Sequence, residues 1–204
     1  MRLIPPSELL RSKKISERRN RIPPGQKVVR GYPVLHYDGI PKVNLSEWHL
    51  TISGEVAQDI TLTWDEFSAL AQARVVADTH CVTGWSSLGD VWEGVLFNTV
   101  FSLVEPLPDA NYCMIYSLDG YTTNLPLAVL CDDDVIFATR MNGRELTPEH
   151  GWPVRLVVPK RYLWKSAKWV NGIEFMRENE PGFWESRGYH MEGDPWKEER
   201  YSGH

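Results

Sequence analysis

Apolar and polar positions alternate with a period of two over several short stretches, the pattern of half-buried β-strands. Trp48–Ser53 (WHLTIS) is the first such stretch, closed by Gly54, and Ile60–Leu62 is a second. Thr63-Trp64-Asp65-Glu66 has the form of a capping box, in which Thr63 and Glu66 satisfy each other's backbone amides. It opens a helix expected to run to about Gln72. Arg74–Asp78 is the next strand, leading into an irregular segment, Thr79–Asp90, without a readable period. Asn98 stands where it would cap a short helix ended by Pro106. Tyr112–Ser117 (YCMIYS) reads as a strand and Asp119-Gly120 as a turn. Val135–Thr139 and Arg144–Leu146 flank Asn142-Gly143, a dipeptide suited to a type I′ hairpin turn. Val154–Val158 and Trp169–Met176 complete the strands, and the tail from Glu180 has no clear period. Strands outnumber helices, long helices do not alternate with them, and no internal repeat is visible. The expected fold class is therefore α+β, a single mixed domain.

Composition narrows the class. A chain of 204 residues, 42% hydrophobic and 24% charged, supports one substantial core. No apolar run approaches the roughly 18–20 residues that span a bilayer, so no transmembrane segment is expected. The start, MRLIPPSELLRSKK, has no continuous apolar stretch of the secretory type, and the three cysteines include no CxxC pair. Both observations point to a cytoplasmic protein. Nine tryptophans are many for this length and suggest a large core or a pocket for a flat ligand. The net charge of −5 conceals an asymmetry, because residues 1–30 hold nine Lys/Arg against two Glu. The expected division is a basic leader over 1–24, next to the breaker cluster Pro23-Pro24-Gly25, and a domain over 25–204. The leader's cations lack interleaved aromatics for base stacking, so no nucleic-acid partner is expected.

Two stretches carry candidate chemistry. Cys113, inside YCMIYS, and Cys131, before Asp132-Asp133-Asp134, read as structural. Cys81 differs, since it follows a strand's end in Thr79-His80-Cys81-Val82-Thr83-Gly84-Trp85-Ser86. It suits either a thiolate activated by a histidine or a thiolate bound to a soft metal. The scattered Cys and His lack the paired spacing of a zinc site. The second stretch is His150–Pro159 (HGWPVRLVVP) followed by Lys165-Ser166-Ala167-Lys168-Trp169. Arg155, at the start of an apolar strand, is costly to bury without an anion. Together with His150, Lys165 and Lys168 it suits a phosphate, or alternatively salt bridges to the acidic body. No GxxxxGK[ST] or GxGxxG loop is present.

THCVTGWS, HGWPVRLVVP and KSAKWVNGIEF, in that order, resemble the molybdopterin-binding domain of the sulfite oxidase family, over about Pro24–Tyr201. The resemblance extends to that family's short stand-alone prokaryotic and methionine sulfoxide reductase branches. It implies one molybdopterin carrying one molybdenum per chain, with Cys81 as the protein's metal ligand. It also implies that His36, Tyr37, Ser117, His150, Arg155, Ser166, Ala167 and Lys168 hold the pterin and its phosphate. Tyr189 falls where the family keeps a catalytic tyrosine whose phenol donates a hydrogen bond to the reacting oxygen. The departures are informative. Sulfite oxidases hold their anionic substrate with arginines, whereas Trp85, Ser86 and Ser87 follow Cys81 here, and Leu35 stands near another such place. The expected activity is oxygen-atom transfer on a small substrate, with S- or N-oxide reduction ahead of sulfite oxidation. The family's haem and dimerisation domains have no counterpart, so a separate electron donor or acceptor protein is expected. Two alternatives remain: a molybdopterin carrier without turnover, and a cofactor-free Cys-His hydrolase using Cys81 with His80 or His150.

Overall fold

The computed structural model describes residues 21–203, so residues 1–20 of the expected leader over 1–24 lie outside the described residues. In chain order the first strands are β1 (Lys27–Val28), β2 (His49–Gly54) and β3 (Ile60–Thr63), then helix α1 (Trp64–Ser68). β4 (Gln72–His80), β5 (Trp85–Leu96), α2 (Phe97–Phe101), β6 (Tyr112–Ser117) and β7 (Thr122–Pro126) follow. The remainder is α3 (Leu127–Leu130), β8 (Ile136–Met141), β9 (Arg144–Glu145), β10 (Arg155–Val157) and β11 (Val170–Met176). This is a mixed α+β domain, as the pattern predicts.

Two sheets result. In the first, β5 is the spine, paired antiparallel with β4 and β8 and parallel with β1, while β10 and β9 pair with β8. The second has the order β3-β2-β11-β6-β7, with β2 and β11 parallel. The main core lies between them, where Leu50, Ile52, Ile115 and Phe175 of the second sheet meet Val95, Phe137 and Leu156 of the first. The other face of the first sheet carries a smaller cluster with Val75, Ala77, Trp92, Ile136, Ala138 and Val157. A sheet covered on both faces needs no polar alternation, which is why Val154–Val158 reads as an almost unbroken apolar run. Arg155 shares its parity with Val157 and so turns toward the face of Trp92.

The capping box forms with both its bonds, but α1 stops at Ser68 with Ala69 as its C-cap, short of Gln72. β4 begins at Gln72 instead, because the sheet edge claims that backbone. Asn98 does not cap α2. Leu96 holds that position, and the Asn98 amide donates to the Cys131 carbonyl from within the helix. The segment expected to be irregular, Thr79–Asp90, is largely strand. Its alternation is hidden by buried polar residues (Thr79, His80, Ser86, Ser87, Asp90) and by a bulge between Ala77 and Thr79. The hairpin turn at Asn142-Gly143 has φ of 52° and 77°, the left-handed pair that a type I′ turn demands.

Candidate functional site

Cys81 occupies the tight connection between β4 and β5. Its amide donates to the Trp85 carbonyl at 2.8 Å, and the Gly84 amide returns to the Cys81 carbonyl at 2.9 Å. Gln26 Nε2 donates to that same carbonyl at 3.0 Å, so the leading segment braces the turn. The thiol is buried, receives a hydrogen bond from Thr83 Oγ1 at 3.1 Å, and opens onto a cavity of about 290 Å³.

Every expected site residue except Ser117 lines this cavity: His36, Tyr37, Cys81, His150, Arg155, Ser166, Ala167, Lys168 and Tyr189. Ser117 is buried at the end of β6, off the cavity wall, and its hydroxyl has no partner among the described residues. The other side chains are held from behind. Tyr37 donates to the Asp119 carbonyl at 2.8 Å and lies on Phe183. His150 donates from Nε2 to the Tyr32 carbonyl at 3.2 Å, which leaves Nδ1 to accept from Thr147 Oγ1 at 2.9 Å. The segment Ser166–Lys168 is locked beside β10 by Val158 N to Ser166 Oγ (3.0 Å) and Leu156 N to Ala167 O (2.8 Å). Gly151, at φ 105°, lets the His150 loop close on this segment, since a Cβ there would meet those of Arg155 and Lys168 at 3.0 Å.

The two cavity cations are not neutralised by carboxylates. Among the described residues neither Arg155 nor Lys168 forms a salt bridge. The Arg155 guanidinium sits 5.5 Å over Tyr32 and 5.3 Å over Trp92, bonded only to the His150 carbonyl, with Nε buried and unpartnered. Lys168 donates to the Leu35 and Glu149 carbonyls at 2.8 and 2.9 Å. Burial, and next the charge of Arg155, pull the Lys168 ammonium down to about 8, against Asp119 and Glu149. Such a pair is relieved by an incoming anion.

Lys165, expected to join these cations, does not face the cavity. It is fully buried behind it in an ion pair with Glu185 at 2.6 Å. Residues that sequence reasoning missed are mainly aromatic: Tyr32, Tyr121, Trp164 and Trp184 also line the cavity, beside Trp85 and Trp169 of the two candidate stretches. The excess of tryptophan was their one signal.

The Cys-His alternative finds no dyad. His80 bonds through Nδ1 to Ser86 Oγ at 2.8 Å and lines a different groove, and both His150 nitrogens are engaged. Nor do the described residues contain any group of three or more His, Cys, Asp or Glu that would hold a metal alone. A metal at Cys81 must therefore bring its other ligands with it. A buried thiol, flat aromatic walls and two unneutralised cations fit a planar, anionic, metal-bearing ligand.

Comparison with known proteins agrees with that class. Residues 37–184 match the oxidoreductase molybdopterin binding domain family. The Bacillus subtilis (strain 168) protein named "Uncharacterized oxidoreductase YuiH" is 42% identical over 188 residues, covering 92% of this chain and 95% of its own length. The chain thus belongs to the molybdopterin-binding oxidoreductase family, whose cofactor is molybdenum-molybdopterin. The protein-methionine-sulfoxide reductase catalytic subunit MsrP of Campylobacter jejuni (subsp. jejuni serotype O:2) is 26% identical over 166 residues, covering 70% of this chain. This chain spans 54% of that relative's length. The sulfane dehydrogenase SoxCD of Paracoccus pantotrophus shares the fold at a TM-score of 0.64 and 20% identity, over 70% of this chain and 41% of its own. Among the described residues no helix is long and apolar enough to cross a membrane.

Proposed function

We propose that this oxidoreductase removes an oxygen atom from a small, uncharged S-oxide or N-oxide. The observation that carries the reading is the wall around Cys81. Val82, Thr83 and Trp85 flank it in the chain, and Leu163, Trp164, Trp184 and Tyr189 line the same cavity. None of these is cationic. An arginine does reach the Cys81 turn, but Arg200 is tied to the Val82 carbonyl and lies over Tyr162 instead of lining the cavity. Arg155 and Lys168 line the same cavity, but with both taken up by the pterin phosphate an anion such as sulfite would be left without a charge partner, whereas a neutral oxide would be held by aromatic surface.

In this reading Cys81 Sγ is the single protein ligand of molybdenum, and Thr83 Oγ1 tunes it by donating to the sulfur. Arg155 and Lys168 neutralise the pterin phosphate, while His36, Tyr37, His150, Ser166 and Ala167 orient the pterin. When bound, the cofactor supplies the two-electron oxygen-atom chemistry. Tyr189 stands within electrostatic reach of Cys81, and burial raises its phenol's pKa, so it remains a hydrogen-bond donor to the substrate oxygen. Ser117 is left without a role. Electrons come from a separate donor protein, in keeping with a relative named as a catalytic subunit. Residues 25–204 act as the cofactor domain. Three free thiols suit the reducing cytoplasm.

The test is turnover of the molybdenum-loaded protein. Reduced viologen should be oxidised by methionine sulfoxide, dialkyl sulfoxides or amine N-oxides, and sulfite should not be oxidised with an added acceptor. Sulfite turnover without oxide reduction overturns the reading, and a loaded protein inert toward all of them is a carrier.

A further inference from the structure

Beneath the cavity lie four buried polar groups without a partner among the described residues: the Tyr32 hydroxyl, Thr79 Oγ1, Asp90 Oδ2 and Trp92 Nε1. Their positions follow from strand register. Val75 pairs with Trp92, Ala77 with Asp90 and Thr79 with Ser87, and cross-strand partners share a face. Thr79, Asp90 and Trp92 therefore project from one face of the β4–β5 hairpin, with exposures of 2%, 8% and 0%. The Tyr32 ring packs edge-on against Trp92 at 5.7 Å and Trp85 at 5.3 Å, which brings its hydroxyl to the same face. The Thr79 hydroxyl lies beside it, within hydrogen-bonding influence of the phenol, and both oxygens are left without a close partner among the described residues.

Buried polar groups are almost always paired, and converging ones that do not reach each other are paired by water. The row also has two ends. Tyr32 lines the cavity that holds Cys81. At the far end Asp90 Oδ1 accepts from the Asn142 amide at 3.0 Å, and Asn142 is exposed on its hairpin turn.

We propose that buried water joins Asp90, Thr79 and Tyr32 into a proton path from the Asn142 turn to the cavity beside Cys81. The path rests on the oxide-reductase reading, whose balance requires protons at the cavity. Taking the oxygen from an S-oxide consumes two electrons and two protons and yields a sulfide and water. The donor protein, or reduced viologen, supplies the electrons, and the protons come from solvent. Asp90 takes a proton at the surface end and passes it to water. The Thr79 and Tyr32 hydroxyls each accept a proton on oxygen and release their own, so neither changes charge. Trp92 Nε1, a donor only, anchors a water without relaying. Burial, with Asp90 and Cys81, raises the Tyr32 phenol, while Arg155 and Thr79 pull the other way. It therefore stays protonated and able to relay. His150 is the remaining titratable neighbour, ring to ring at 5.8 Å.

A high-resolution crystal structure of the molybdenum-loaded protein, with kinetics of Tyr32→Phe and Asp90→Asn, tests this. The expected density is a continuous file of ordered water bonded to Tyr32 Oη, Thr79 Oγ1 and Asp90 Oδ2, broken in Tyr32→Phe. The expected kinetics are a loss on the order of 10²-fold in kcat with KM unchanged in both variants, and partial rescue of Asp90→Asn by small weak acids. A dry site, or a kcat retained in both variants, overturns the path. The density decides it whether or not any oxide is turned over. A loaded wild-type protein inert toward every oxide would instead refute the reading beneath it.

Discussion

Replacing Lys165 with methionine removes one half of an ion pair that no solvent reaches, both side chains being 0% exposed. The ammonium lies 2.6 Å from Glu185 Oε1 and donates to the Asn124 carbonyl and Oδ1, each at 2.8 Å. Burial pulls the lysine down while Glu185 pushes it back up, so the pair is a desolvated charge held by its partner. After the substitution, Glu185 Oε1 keeps only Trp164 Nε1 at 2.9 Å and Thr123 Oγ1 at 3.3 Å, and Oε2 already lacks a partner. An uncompensated buried carboxylate costs about 3–5 kcal/mol, which for a domain of this size lowers Tm by roughly 10 °C. The double variant Lys165→Met/Glu185→Gln removes the stranded charge and should recover more than half of the loss. Guanidinium melts of wild type, both singles and the double close the cycle. Trp164 stands on the cavity wall, so the lysine variant should also weaken cofactor retention. A Lys165→Met loss below about 1 kcal/mol, or a double no more stable than the single, would refute the reasoning.

Arg155→Met should weaken binding of inorganic phosphate, measured by calorimetry, by about 10- to 100-fold, the worth of a hydrogen bond to a charged group. The same affinity should fall as pH rises through about 8, where Lys168 loses its proton. Stability of the ligand-free protein should move the opposite way. The unfolded lysine keeps its proton up to about 10.5 while the folded one releases it near 8, so the contribution of Lys168 to stability rises with pH between those values. Thr63→Ala, which breaks the capping box far from the cavity, should cost about 1 kcal/mol in a denaturant melt and leave phosphate binding unchanged.

Strands with a single code were legible. Tyr112–Ser117 emerges as β6 with the same bounds, and Asn142-Gly143 makes the turn its residues demand. The hairpin that carries Cys81 was not legible, because function and packing place Thr79, Ser86, Ser87 and Asp90 where apolar residues would have kept the period. β7 (TTNLP) hid for a similar reason. Thr123 and Asn124 are buried there to serve Glu185 and Lys165, and a polar pair reads as loop. At the site, Arg155 and Lys168 stood out as cations in an acidic chain. Lys165 belonged to the same run by sequence, yet a 3-10 turn over Leu163–Lys165 swings it inward to Glu185. Tyr32 and Trp184 gave no local sign, since they join the cavity of Cys81 only through the tertiary fold.

The central claim is that Cys81 anchors a molybdenum brought by the pterin. Metal analysis of protein from a host that makes molybdopterin, paired with alkylation of Cys81, tests it most directly. The account predicts close to one molybdenum per chain, Cys81 protected from the alkylating reagent, and loss of the metal in Cys81→Ser. Protein without molybdenum, its Cys81 open to alkylation, would contradict it.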